Sequence, residues 1–293
     1  MKIIDVHMHY YNVEGFYETA KQAGHENTSA CWQQICEENN IVFAVAMGNT
    51  MDASVRYGGV PPRLINLAAP FNEEQYNQPG NIGYCLGVQS DLITEANAEL
   101  TAKEFEFYLQ QPHCLGLKFY PGYNASYVNE KKHWPLIELA RKYSVPVVIH
   151  TGDTARPTGL LKYSHPLTVD EAAVNFPDVT FVIAHCGNPW IVDAVEVSAK
   201  NDNVCLDLSG LLAGQPKPMF LYEKNAAYFA YLRMWLNYLG RYDKVMYGSD
   251  WPLVNIPTYI SLMKRIIPET AHEQVFYLNA LRVFRKIENL INR

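Results

Sequence analysis

Eight short apolar runs, rich in β-branched residues and each closing on a turn, recur along this chain and leave few folds open to it. They are "KIIDVHMH" (2–9), "IVFAVAMG" (41–48), "GYCLGVQ" (83–89), "CLGLKFY" (114–120), "VPVVIHTG" (145–152), "VTFVIAHCG" (179–187), "VCLDLSG" (204–210) and "KVMYGSD" (244–250). Helical patterns fall between them, among them "TSACWQQICEEN", "TAKEFEFYLQQ", "KKHWPLIELARKY", "TVDEAAVNF" and "NAAYFAYLRMWLNYLG". A strand that is apolar at nearly every position is buried on both faces, the habit of parallel strands covered by crossover helices. Eight such units in series predict an α/β fold, a single (β/α)8 barrel of the TIM type over residues 1–293. A ninth apolar run, "RLINLAAP" (63–70), competes for the third strand and is read here as an insertion. No repeat, low-complexity segment or shift in composition marks a domain boundary.

Composition supports a large core and narrows the partners. Hydrophobic residues make up 48% of the chain and charged residues only 18%, which argues against disorder. The net charge of −6 offers no electrostatic footprint for nucleic acid or an anionic membrane. No run approaches the ~20 apolar residues of a membrane span. The opening "MKIIDVHMHYYN" has too short an apolar run for a secretory signal, so a cytoplasmic location is expected. The six cysteines, at 31, 36, 85, 114, 186 and 205, form no C-x-x-C pair and are expected as reduced thiols. Abundant Tyr and Trp leave a homodimer interface open.

In a barrel of this kind the chemistry gathers at the C-terminal ends of the strands. His7 and His9 end the first run, Lys118 lies near the end of the fourth, and His150 and His185 end the fifth and sixth. Asp250 ends the eighth. Side chains at i and i+2 on a strand share a face, so His7 and His9 form a pair of imidazoles suited to a metal ion. Each residue has a plainer reading: a hydrogen-bonded core histidine, a snorkelling lysine, a capping aspartate. His-x-His alone decides little in a chain with nine histidines. Taken together, five strands ending on ionisable groups at one predicted rim are explained by one metal site. Asp5 is read as a partner for backbone or for an imidazole.

The motifs "DVHMH", "GLKFYP", "PVVIHTGD", "HPLTVDEAAVNFPDVTFVIAHCGNPW", "VCLDLSG", "MYGSDWP" and "NALRVF" carry a family resemblance over nearly the whole chain. The sequence resembles the amidohydrolase superfamily, in the amidohydrolase-related branch that also holds aminocarboxymuconate-semialdehyde decarboxylase. The resemblance implies that His7, His9, His150 and Asp250 are metal ligands and that His185 is the strand-six histidine. In binuclear members that histidine binds a second metal, bridged by a carbamylated strand-four lysine. In the decarboxylase-like branch one metal is usual and the histidine is catalytic. Lys118 stands in the strand-four position and is compatible with both, so the number of metals stays open.

Three imidazoles and a carboxylate suit Zn²⁺ first, with Mn²⁺ or Fe²⁺ as alternatives. The expected function is a metal-dependent hydrolase of a small carbonyl compound, with Asp250 and His185 as catalytic groups. The alternative is a non-oxidative carboxy-lyase on the same scaffold. The loop "TGDTARPTGLLKYSHP" brings Arg156 and Lys162 towards the rim; the plainer reading is an ordinary solvated loop, and the functional one is that Arg156, with Lys118, binds an anionic substrate. A non-catalytic protein with a structural metal ranks last, because structural zinc sites are usually Cys-rich and closed.

Overall fold

The computed structural model describes residues 1–10, 14–48, 80–214 and 223–291. Eight parallel strands stand in sequence order as a nearly closed barrel, with helices between them. The strands are β1 (Ile3–Met8), β2 (Ile41–Met47), β3 (Ile82–Val88), β4 (Cys114–Phe119), β5 (Val147–Ile149), β6 (Phe181–Ile183), β7 (Val204–Asp207) and β8 (Val245–Met246). The third strand is therefore the 82–88 run, and the competing 63–70 run lies outside the described residues. Helices α1 (Glu14–Gln22), α2 (Ser29–Asn39), α3 (Ala98–Leu109), α4 (Trp134–Tyr143) and α5 (Leu167–Asn175) cover the first half of the barrel wall. The second half carries α6 (Ile191–Lys200), α7 (Ala226–Leu239), α8 (Ile256–Ile266), α9 (Asn279–Val283) and α10 (Lys286–Ile291). None of the described helices is long and apolar enough to cross a membrane.

Local chemistry sets the helix ends. The Thr28 hydroxyl accepts from Cys31 N to start α2, and Asn40 ends it in the left-handed conformation that Asn tolerates. On α8, Asn255 accepts from Thr258 N in the same way, with a proline in the first turn.

The strands separate two apolar layers. Val6, Phe43, Val45, Leu115, Val148, Val182, Cys205 and Met246 fill the barrel interior. The larger layer joins the outer strand faces to the helices, through residues such as Leu86, Leu117, Ile149, Phe181 and Leu206. Each strand thus buries both faces, which is why the runs read as continuously apolar. The last stave meets the first through Val6 N to Tyr247 O (3.1 Å), Asp250 N to His7 O (2.7 Å) and His9 N to Trp251 O (2.7 Å).

At the N-terminal end of the strands, Ala280, Val283, Phe284 and Ile287 close the interior. Beside them the Lys286 ammonium donates to the carbonyls of Leu109 (2.5 Å), Gln111 (3.2 Å) and Cys114 (2.9 Å). Three donors thereby satisfy three carbonyls at the foot of α3 and β4. All six cysteines are unpaired, as the sequence predicts. Lys286→Met leaves the three acceptors without their donor. It should cost about 1–3 kcal/mol in urea unfolding, while the distant C-terminal rim keeps its ligand-binding properties. An unchanged midpoint would show that water replaces the ammonium at no cost.

Candidate metal centre

The centre is built around His7. Its ring is fully buried, and Nδ1 lies 2.9 Å from Asp207 Oδ2. A carboxylate oxygen only accepts, so Nδ1 carries the proton and Nε2 keeps a bare lone pair. Burial, helped by the nearby Lys118 charge, pushes His7 down to about 3, so its imidazole is neutral. Burial alone would raise Asp207. The attraction and hydrogen bond of the His7 N–H, joined by His185 and Lys118, outweigh it and hold the carboxyl well below its usual range.

Across from His7 stands Asp250. Its Oδ1 is 3.6 Å from His7 Nε2 and 3.1 Å from His9 Nε2, while Oδ2 is 4.0 Å from His185 Nδ1. Burial opposes its ionisation, but His185, His9 and His7 together hold the carboxyl far below the ordinary range. Among the described residues, His7 Nε2 and Asp250 Oδ1 are both buried without a hydrogen-bond partner of proper geometry. Nε2 of His7 and Oδ1 of Asp250 face each other as acceptors at 3.6 Å, with His9 Nε2 3.1 Å from the same oxygen, and a cation among the three would satisfy all of them. Ligand atoms of His7, His9 and Asp250 lie within 4.8 Å of one another, so this trio fits a divalent cation. A second trio, His7, His185 and Asp207, meets the same spacing, but its Asp207 is already committed to hydrogen bonds.

The other sequence-predicted residues take different places. His150, after β5, lies at the same rim with its ring 5.0 Å from that of His185. Its Nε2 lies 3.0 Å from the Asp153 carbonyl, an obligate acceptor, which leaves Nδ1 as its bare nitrogen. Neither trio includes it. Burial, with the charges of His185 and Lys118, lowers His150 well below its usual range. His185 follows a kink: it and Cys186 have φ of 58° and 47°, in the left-handed region. Simple alternation would put His185 on the outer face with Phe181 and Ile183. The left-handed turn instead brings its ring 4.7 Å from that of His7. Asp250 is also left-handed, with φ 68°. Gly210, at φ +63°, must lack a side chain, because a Cβ there would meet Asp250 Oδ2 at 2.5 Å.

Lys118 lies beneath this rim with its Nζ fully buried, 5.0 Å over the Tyr120 ring and without a hydrogen-bond partner among the described residues. Burial lowers it to about 8 against the pull of Asp207 and Asp250. It does not line the cavity. Arg156 also stays off the lining, which its neighbour Ala155 supplies, and Lys162 stacks on Tyr163 in an exposed part of the loop. Asp5 joins backbone, as read from the sequence: its Oδ1 accepts from His7 N (3.2 Å) and Ser249 N (2.8 Å). Burial pushes this carboxyl up to about 7, partly offset by the Ser249 hydrogen bonds.

Above the trio opens a cavity of about 300 Å³. His9, His150, His185 and Asp250 form its polar floor, and Phe16, Tyr120, Tyr123 and Leu253 supply flat or apolar walls. Sequence reasoning left two residues of the centre without a role, Asp207 and Ser209. Both sat within "VCLDLSG", where alternation places Cys205, Asp207 and Ser209 on the inward face. A carboxylate at a buried strand position was the signal.

The family model described as Amidohydrolase (Amidohydro_2) matches residues 87–286, about two thirds of the chain. The chain belongs to the amidohydrolase family. No match is found among curated proteins. Solved structures resemble this amidohydrolase over nearly its whole length. A TIM-barrel protein from Bordetella bronchiseptica aligns at TM-score 0.70 and 19% identity, covering 98% of this chain and 100% of the other. The 2,6-dihydroxybenzoate decarboxylase from Rhizobium aligns at TM-score 0.65 and 13% identity, covering 97% and 99%. A dihydroxybenzoic acid decarboxylase from Polaromonas, with bound manganese and the inhibitor 2-nitroresorcinol, aligns at TM-score 0.62 and 14% identity, covering 100% and 98%.

Asp207→Ala removes the partner that keeps the His7 lone pair on Nε2. Affinity for Zn²⁺ or Mn²⁺, read by competition with a chromophoric chelator, should fall about 10–100-fold, the usual effect of losing such a partner. Affinity equal to wild type would remove Asp207 from the support of the centre.

Proposed function

We propose that this amidohydrolase is a divalent-metal-dependent, non-oxidative carboxy-lyase acting on a small planar carboxylic acid. The observation that carries the reading is the meeting of two surfaces in one cavity. Aromatic walls from Phe16, Tyr120 and Tyr123 stand over a polar floor that includes His9, His150, His185 and Asp250, with the buried His7 Nε2 3.6 Å from Asp250 Oδ1. His7, His9 and Asp250 would hold the ion, with His150 Nδ1 as the fourth donor, a nitrogen and oxygen set suited to Zn²⁺ and Mn²⁺ alike. When bound, such an ion supplies positive charge that orients a substrate carboxylate or ring oxygen.

The chain's own residues supply the rest. The aromatic side chains flank a flat ring and keep water from its faces. His185 is the proton carrier. Burial lowers its pKa against the pull of Asp250 and Asp207, so the neutral imidazole can take up a proton and return it. The carbon that loses CO₂ receives this proton, and the electron pair of the broken C–C bond becomes the new C–H bond. Asp250 is held ionised by three imidazoles, which makes it a strong ligand and a weak proton carrier. Lys118 and Arg156 lie off the lining, so the substrate anion is assigned to the metal rather than to these cations.

Hydrolysis, ranked first from the sequence, becomes the second reading. It is favoured by one observation, that Asp250 itself lines the cavity beside the candidate ion position. The resemblance to two decarboxylases supports the carboxy-lyase better. The deciding experiment loads the protein with Mn²⁺ or Zn²⁺ and measures CO₂ release from a panel of hydroxylated aromatic and conjugated acids. A parallel panel of lactones and amides is scored for acid product. CO₂ release that stops on chelation is expected, and hydrolysis without CO₂ would reverse the two readings. At matched metal occupancy, His185→Asn should lower turnover by about 10²–10⁴. Asp250→Asn, compared the same way, should lower it less, its main loss being in metal affinity.

A further inference from the structure

Ser209 makes a set of contacts that the reaction scheme above does not use. It is fully buried, one stave from His185, at the end of β7. Its hydroxyl lies 2.5 Å from Asp207 Oδ1 and 3.0 Å from His185 Nδ1. Its carbonyl oxygen lies 3.2 Å from the same Nδ1. Asp207 Oδ1 also takes the backbone amides of His185 and Ser209, each at 3.0 Å. Amides only donate, so this oxygen is an acceptor and the Ser209 hydroxyl must point its single proton towards it. That leaves the hydroxyl only lone pairs to offer His185. The carbonyl likewise offers only lone pairs. Both partners of His185 Nδ1 are therefore acceptors, and the ring has one way to satisfy them.

We propose that Ser209 is a positioning residue that holds His185 with its proton on Nδ1 and a bare lone pair on Nε2. Through Asp207 the same carboxylate dictates the tautomer of two histidines. Oδ2 takes the His7 Nδ1 proton directly, and Oδ1 acts on His185 through the Ser209 hydroxyl. Asp207 thereby prepares His7 Nε2 to bind and His185 Nε2 to accept a proton. The inference deepens the proton-carrier role assigned to His185, yet the tautomer itself can be read without any turnover.

The test uses full-length protein labelled with ¹⁵N-histidine, with and without Zn²⁺, the His185 signals being identified by their loss in His185→Gln. Wild type should show a protonated Nδ1 and a bare Nε2. In Ser209→Ala the carbonyl remains but the hydroxyl link is gone, so the Nε2 signal should move towards the protonated position as a second tautomer appears. Ser209→Thr keeps the hydroxyl and should restore the wild-type shifts. With an active substrate, Ser209→Ala should lose about tenfold in kcat with KM within about twofold, and Ser209→Thr should recover most of it. A wild-type His185 protonated on Nε2 overturns the proposal, and so do wild-type shifts in Ser209→Ala. If no acid is turned over, the reaction scheme fails while the nitrogen shifts still decide the tautomer.

Discussion

The hydrogen bond from His7 Nδ1 to Asp207 governs this centre. Without it the ring could carry its proton on either nitrogen, and an Nε2–H would donate to Asp250, giving a buried hydrogen bond in place of an ion site. With it, the proton is committed to one side and a lone pair to the other. The 3.6 Å approach of His7 Nε2 to Asp250 Oδ1 is then electrostatically unsatisfied. With His9 Nε2 3.1 Å from the same oxygen, the three side chains together suit a bound cation.

Much of this was legible in the chain. Continuous apolar runs at eight places carried the barrel, because parallel strands hide both faces. The rim residues followed from strand ends, so His7, His9, His150 and Asp250 could be named before any geometry was known. Other features had no such signal. His185 reaches the centre through two left-handed residues, and nothing in "VIAHCGN" announces a reversed φ at a histidine. Arg156 is close in sequence to Ala155, which does line the cavity, but a loop has no period from which to read direction. Asp207 was visible as a carboxylate inside an apolar strand and was passed over because it ends no run.

Lys118 illustrates a different limit. The resemblance places it at the strand-four position, where carbamylated and plain amines both occur in the superfamily. The structure buries it beneath the rim, with the Tyr120 ring as a neighbour and two carboxylates within electrostatic reach. Its charge presses on the imidazoles above, lowering His7 and His150 further than burial would alone. A cation placed there favours neutral rings, which is the protonation state that ligands and bases need. The lysine thus acts on the site without touching the cavity.

The seam where the barrel closes has a consequence in time. His7 and His9 belong to the first barrel strand and its end, and Asp250 follows the last strand, so the histidines are made well before the carboxylate. Their backbones exchange hydrogen bonds only when the final stave docks against the first. A growing chain therefore carries its pair of histidines through the making of the intervening staves without the Asp250 carboxylate that completes the set. The centre comes into being at the moment of closure, so an ion taken up there would clasp the first and last staves of the barrel together.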